Sequence, residues 1–345
     1  MNKNRFAALV AAVTTTLSLS LVHHVHAAPM IPDGPGVSLA VNQPDSYRSS
    51  FRSYDLTGDD WPDLLARNSA SGDLALHRHS GSVNGASTFE SGTLVGVGWN
   101  MHNWIGVGNF VDSDAKDGST GDDEAGSSRY LGDIVARRAS DGVLMIYPHS
   151  GTVNGTSTWL APVNIGTGWN GIKRIWVADV TQDGYDDIVA MDGQYTVWVY
   201  PNLRTLRENN TLGSRIKISA NVAGPAGDGR TFYSFTHWYG NAPDFATVET
   251  GGGPAYYSPM ARPDLTENTW SWTGYRARVL AYGGMYGGIA TVADVTGNGN
   301  DDILMRQFSG ELHLYPVRSS RLDRTDGLDA VVNLGGNWNA YDVIT

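Results

Sequence analysis

Three stretches place oxygen-bearing side chains at alternate positions on what reads as a tight loop: DLTGDDWPDLL at 55–65, DVTQDGYDDIV at 179–189 and DVTGNGNDDIL at 294–304. Counted from the first aspartate, the oxygens fall at places 1, 3, 5 and 9: Asp55, Thr57, Asp59 and Asp63; Asp179, Thr181, Asp183 and Asp187; Asp294, Thr296, Asn298 and Asp302. A chain carbonyl, that of Tyr185 in the second stretch, is available at place 7. Such a set suits a hard cation that takes six to eight oxygens, with calcium the expected ion in a structural role. An EF-hand is excluded, because its closing Glu at place 12 is Ala190 here. The competing role needs no metal: Asp, Asn and Gly turn the chain well, and carboxylates at places 1 and 9 can cap the turn by accepting backbone N–H bonds.

A second group of residues suggests ligand contact. The tripeptide GWN or its near copy recurs with Trp99–Asn100, Trp169–Asn170 and Trp338–Asn339. An indole beside an amide is what sugar recognition uses, the ring stacking on C–H faces and the amide bonding hydroxyls. The same tryptophans could instead pack one structural unit against the next. His237 and Trp238, in FTHWYGN, join the candidates because they fall in the most divergent part of the chain.

Catalytic constellations are sparse. There is no G-x-S-x-G elbow, no H-E-x-x-H pair and no glycine-rich phosphate loop opening a helix. The absence of cysteine removes thiolate nucleophiles and thiolate zinc sites. His79 and His149 begin near-identical segments, HSGSVNGASTF and HSGTVNGTSTW, which favours an architectural role. No spacing among the 35 acidic residues selects a catalytic pair.

Those candidates must be positioned by a repeat. The two HSG segments and the two copies of G-x-GWN share one offset of 70 residues. Aligning on the place-9 aspartate gives Asp63, Asp133, Asp187 and Asp302, and the double-length last step predicts a decayed copy near Asp244. Each unit of 55–58 residues carries strand signals of period two, with the third strand recurring as LALHRH, LMIYPH, VWVYPN, AYYSPM and LHLYPV. Residues 163–166, VNIG, read as the fourth strand of the third unit. The pattern predicts an all-β fold, a β-propeller of about five four-stranded blades; a sixth or seventh would need units with no visible signature. SFRSYDL at 50–56 is expected to supply the first strand of the first blade, the ring closing where the two chain ends meet.

Outside the repeat, residues 1–27 read as a secretory signal peptide: Lys3 and Arg5, an apolar run, then small residues before Ala28. Residues 28–47 form a short N-terminal segment, and the propeller occupies 48–345. Residues 112–129 are an acidic, glycine-rich insertion, expected to be a mobile loop, whose Asp112, Asp114 and Asp117 cannot be assigned to a metal. Without Lys3 and Arg5 the net charge moves from −11 to about −13, which argues against a nucleic-acid partner. No further stretch is apolar enough to span a membrane.

The aspartate loops resemble FG-GAP or VCBS repeats, whose D-x-[DNT]-x-[DN]-G-x-x-D loops bind calcium in integrin-like propellers. Three loops match well. The second unit departs at Asn109, and the fourth has Thr236, Trp238 and Gly240 where oxygens are wanted, leaving Asp244 alone. IGTGWNGIKRI also resembles the signature of tachylectin-like five-bladed lectins, which implies sugar sites between blades. The resulting expectation is a secreted, non-catalytic, lectin-like protein stabilised by calcium, with a glycan as partner. Two alternatives stand: a secreted module that binds another extracellular protein, and a propeller-fold polysaccharide lyase or hydrolase.

Overall fold

The computed structural model describes residues 54–111, 131–181, 183–219, 287–318 and 328–345, together with four further strands by their backbone. The signal-peptide, N-terminal-segment and acidic-insertion readings, and His237 and Trp238, lie outside the described residues.

Among the described residues, twenty strands form five four-stranded antiparallel sheets. Along the chain, the first sheet contains β1 (Leu64–Asn68), β2 (Leu74–His77) and β3 (Thr93–Gly96). The second contains β4 (His102–Gly108), β5 (Asp133–Arg138), β6 (Leu144–Tyr147) and β7 (Val163–Gly166). The third contains β8 (Ile172–Ala178), β9 (Asp187–Asp192), β10 (Val197–Tyr200) and β11 (Ile216–Ser219). The fourth contains β12 (Thr231–Thr236), β13 (Asp244–Glu249), β14 (Ala255–Ser258) and β15 (Arg278–Ala281). The fifth contains β16 (Gly287–Ala293), β17 (Asp302–Gln307), β18 (Leu312–Tyr315) and β19 (Val332–Asn333), and β20 (Tyr341–Ile344) returns to the first.

The lead strands stand next to one another in order, β4 by β8, β8 by β12, β12 by β16 and β16 by β20, as the inner strands of a β-propeller. The repeat predicted this architecture, and Asp133, Asp187, Asp244 and Asp302 each open the second strand of a blade, Asp63 lying one residue before β1. The decayed fourth unit is therefore a blade in its own right, with Asp244 in register.

Two strand assignments need correction. The first strand of blade one is β20, which pairs Ala66 with Ile344 and Arg67 with Val343, in place of the expected SFRSYDL. The ring still closes by joining distant parts of the chain, which removes sheet edges at the seam. Residues 163–166 are the outer strand of blade two, pairing Leu144 with Gly166, while blade three takes Ile216–Ser219. The unit boundary in the sequence lies one strand away from the boundary between sheets.

Alternating residues supply the core. Leu65, Leu74, Leu76, Val107, Ile134 and Ala136 meet between blades one and two. Val135, Leu144, Ile146, Ile188 and Ala190 do the same between blades two and three. Strand β5 is thus buried on both faces, its successive side chains belonging to different inter-blade cores.

Candidate functional site: corners and joints

Strand direction divides each blade into two ends. At one end lie the corners between first and second strands, carrying the aspartate loops, and the connections between third and fourth. At the other lie the turns between second and third strands and the joints that carry GWN.

The corners are backbone traps for carboxylates. In blade one, the N–H groups of Thr57, Gly58 and Asp59 converge on Asp55 Oδ1 at 3.2, 2.6 and 3.2 Å, and that of Asp60 donates to Oδ2 at 3.0 Å. Gly58 and Asp60 adopt positive φ, which lets successive N–H groups face one concavity. Asp179 accepts from the Asp183 and Gly184 amides, and Asp294 from those of Asn298 and Gly299.

The place-9 aspartates do something different. Asp187 accepts the Val180 and Thr181 amides on Oδ2 and the Asn202 amide on Oδ1, at 3.0, 2.8 and 2.8 Å. Asp63 reaches Leu56 and His79, Asp133 reaches Phe110, Val111 and His149, and Asp302 reaches Thr296 and Val317 in the same manner. One carboxylate therefore ties the corner to the end of the third strand in four blades. Burial pushes Asp63 and Asp302 up to about 7 and Asp294 to about 6, and holds Asp187 well above the ordinary carboxylate range.

Corners also clasp their neighbours. The Asn109 amide donates to Asp186 Oδ2 at 2.6 Å, Asn109 Nδ2 to the Gly184 carbonyl at 2.9 Å, and Gly132 to the Asp55 carbonyl at 3.1 Å. In blade one, Trp61 stacks on His79 with ring centroids 4.7 Å apart. His79 and His149 each accept a glycine N–H on Nδ1, from Gly81 and Gly151, so both imidazoles shape the outer connection.

Whether these loops suit calcium turns on what their oxygens already do. The carboxylates at places 1 and 9 accept backbone N–H bonds, and among the described residues no group of three His, Asp or Glu side chains is placed to hold a metal ion. Two atoms speak for an oxygen-seeking ion: Thr57 Oγ1 and Thr296 Oγ1, each at place 3 of its loop, are buried without a hydrogen-bond partner. Backbone capping accounts for the described geometry, and calcium belongs with the proposals.

The joints separate the two members of each Trp–Asn pair. Gly98, Gly168 and Asn337 adopt left-handed φ, and each leads into one 3-10 turn beginning at Trp99, Trp169 or Trp338. These indoles are only 6, 5 and 7% exposed and lie in the inter-blade cores. A Cβ at Gly96 or Gly166 would overlap the indole nitrogen of Trp99 or Trp169, so glycine there makes room for the ring. The rings pack in these cores, and sugar contact at the joints belongs with the proposals. Asn100, Asn170 and Asn339 are exposed. Each lies against the left-handed glycine of the adjacent turn, Gly72, Gly142 or Gly310, whose carbonyl accepts the tryptophan N–H.

An arginine that sequence reasoning missed locks each joint. Arg67 Nη1 donates to the carbonyls of Trp99 and His102, Arg137 Nη1 to those of Trp169 and Ile172, and Arg306 Nη1 to those of Trp338 and Tyr341. All three stand four residues after the place-9 aspartate, a spacing visible in the repeat. Arg67 also forms a two-point pair with Asp342 on the closing strand, at 2.8 and 2.7 Å. An aromatic cluster completes two joints: Trp99 with His102 and Tyr147, and Trp338 with Tyr341 and His77. The histidine and tyrosine exchange places between them. Burial and the nearby arginines lower His102 to about 4, leaving its Nε2 neutral for the Tyr147 hydroxyl at 3.0 Å.

The class defined by this arrangement is a β-propeller whose blades are tied by carboxylates at one end and by tryptophan and arginine at the other. No family model and no curated protein matches the chain. Among solved structures it is similar to the holo form of the pyranose dehydrogenase PQQ domain from Coprinopsis cinerea, at 11% identity and a TM-score of 0.31. That match covers 61% of this chain and 50% of that one, so this chain spans about half of its length. The FG-GAP, VCBS and tachylectin-like resemblances rest on the loop motifs alone. Among the described residues no helix is long and apolar enough to cross a membrane.

Proposed function

We propose that the protein is a secreted, non-catalytic binding module that recognises a glycan through its joint end. The observation that carries this reading is the threefold exposure of Asn100, Asn170 and Asn339 at equivalent places. The segments around them, VGWNM, TGWNG and GNWNA, contain no charged residue in a chain of net charge −11. Exposed amides held on rigid turns suit hydroxyl-rich, uncharged ligands, and several weak equivalent sites gain from multivalency. The test is a glycan array probed with the parent and with the triple variant Asn100→Ala, Asn170→Ala, Asn339→Ala. Loss of at least tenfold in signal with an unchanged melting temperature supports the reading. Silence across bacterial, fungal and plant glycans, or equal binding by the variant, refutes it.

Calcium forms a second part of the proposal. Asp55, Thr57, Asp59 and Asp63 would hold it in blade one, with Asp179, Thr181, Asp183 and Asp187, and Asp294, Thr296, Asn298 and Asp302, in the corresponding loops. The orphaned Thr57 hydroxyl supports it, and the ion would supply scaffold rigidity only. A chelator should lower the melting temperature and low-millimolar calcium restore it; no shift in either direction removes calcium from the account.

One feature favours a protein partner as the second reading. Phe308, on the turn beside the last joint, is 78% exposed, and Val97 and Met101 flank the first joint and are also exposed. Replacement of Phe308 by Ser would weaken such a complex while leaving glycan binding intact.

A further inference from the structure

The repeat supplies its own control for side-chain chemistry, because a position that serves the fold keeps its character from joint to joint. One joint position breaks that rule. The residue after the Trp–Asn pair is Met101 in the first joint, Gly171 in the second and Ala340 in the third. Each ends the 3-10 turn that begins at the tryptophan. The fold uses the backbone there. The Met101 carbonyl accepts the Ala139 N–H from the turn between β5 and β6 at 2.9 Å, and the Ala340 carbonyl accepts the Ser69 N–H from the turn between β1 and β2 at 2.9 Å. A residue with only a methyl group makes the same contact, so packing does not select a methionine.

Exposure sets this sulfur apart. Met101 is 49% exposed, whereas Met145, Met191 and Met305 are buried at 3, 4 and 0%. Among the described residues it is the one methionine that solvent reaches freely. Its surroundings differ from the other joints too: Val97, four residues earlier, is 60% exposed and stands where they have Thr167 and Gly336. The first joint therefore shows solvent a thioether and a branched aliphatic group, where its equivalents show small or hydroxylated residues.

We infer that Met101 is a reversible oxidation site, at which an external peroxide turns the apolar first joint polar while the fold stays intact. The thioether sulfur attacks one oxygen of hydrogen peroxide, and the S–O bond forms as the O–O bond breaks. The departing hydroxide takes the proton of the transferred hydroxyl and leaves as water. Sulfur loses an electron pair and the peroxide gains it. A strongly accepting sulfoxide oxygen then replaces a weakly polar sulfur. The backbone contact to Ala139 needs no rearrangement, since it does not involve the side chain. Gly171 and Ala340 have nothing to oxidise, so the change falls on one of three equivalent places. This chemistry holds with or without a glycan at the joints.

The experiment exposes the whole folded protein to dilute hydrogen peroxide and follows it by peptide mass mapping, melting temperature and retention on a phenyl matrix. Met101 should gain one oxygen atom about tenfold or more faster than Met145, Met191 and Met305. The melting temperature should stay that of the parent, and the oxidised protein should elute earlier. Treatment with sulfoxide reductases for both sulfur epimers should restore mass and retention together. Met101→Leu should keep the parent's retention before and after peroxide. The triple asparagine variant of the joints should oxidise like the parent, so failure here and failure of the glycan reading are separable. Equal oxidation of a buried methionine overturns the inference, as does a Met101 left unmodified in peroxide. So does a sulfoxide form that elutes with the parent, melts earlier or resists the reductases.

Discussion

Corners and joints solve the same problem, holding one blade to the next, with opposite chemistry. A corner uses buried carboxylates as acceptors for backbone N–H groups, and its Asp187 is fully buried. A joint uses an arginine as donor to backbone carbonyls and seals the contact with an indole. The difference teaches where function can reside. Corner oxygens are largely committed to their own loop, whereas each joint hides its tryptophan and leaves an amide outside.

The largest expected effect breaks a corner. Asp187→Ala leaves three backbone N–H groups without their acceptor, and a loss of about 4–5 kcal/mol in denaturant unfolding is expected. Asp179→Ala, whose loop lies nearer solvent, should cost less; equal losses would show that the two carboxylates share one role.

At a joint, Trp169→Ala should cost about 3–4 kcal/mol through the cavity it leaves, whereas Asn170→Ala should cost less than about 0.5 kcal/mol. Comparable losses would mean that the amide is structural and would remove it as a contact residue. A smaller contrast separates two glycines of one joint. Gly142 has φ of 70°, and a Cβ there would lie 2.7 Å from Asn170 Cγ, while Gly168 has φ of 78° with nothing within 4 Å. Alanine should therefore cost about 2 kcal/mol at Gly142 and about 1 kcal/mol at Gly168.

The gentlest test uses pH, because the two ends titrate in opposite senses. Asp63 and Asp302 are raised to about 7 from an ordinary 3.8, so their contribution is complete below 3.8 and is lost as pH rises through 7. His102 is lowered to about 4 from 6.5, so its contribution is complete above 6.5 and is lost as pH falls through 4. The two windows overlap between about pH 4 and 6.5, where the carboxylates weaken and His102 strengthens as pH rises. With two carboxylates against one histidine, the melting temperature in calcium-free buffer should fall as pH rises from about 4 to 7. Asp63→Asn should make that fall shallower, and His102→Gln should make it steeper. A common response to both substitutions would show that corners and joints do not melt independently.

Much of this was legible in the sequence. The place-9 aspartate marked the start of every second strand, including the decayed one at Asp244, because a strand boundary and its capping carboxylate are local features. The GWN motif was found but its halves were treated alike; only burial separates Trp169 from Asn170. Arg67, Arg137 and Arg306 carried a visible signal, a cation four residues after each aspartate, yet their targets lie 32 and 35 residues onward in the next joint. Nothing local announces that pairing.

By itself the sequence determined the repeat, the strands, the turns and the composition of the two ends. These follow from period-two burial and from residues that favour particular backbone angles, both of which act over a few positions. Tertiary structure decided the rest. It made β20 the strand that completes the first blade, joining Arg67 to Asp342 across 275 residues. It buried the indoles and set the arginine locks. Those outcomes depend on which strands become neighbours, and that is settled by closing the ring as a whole.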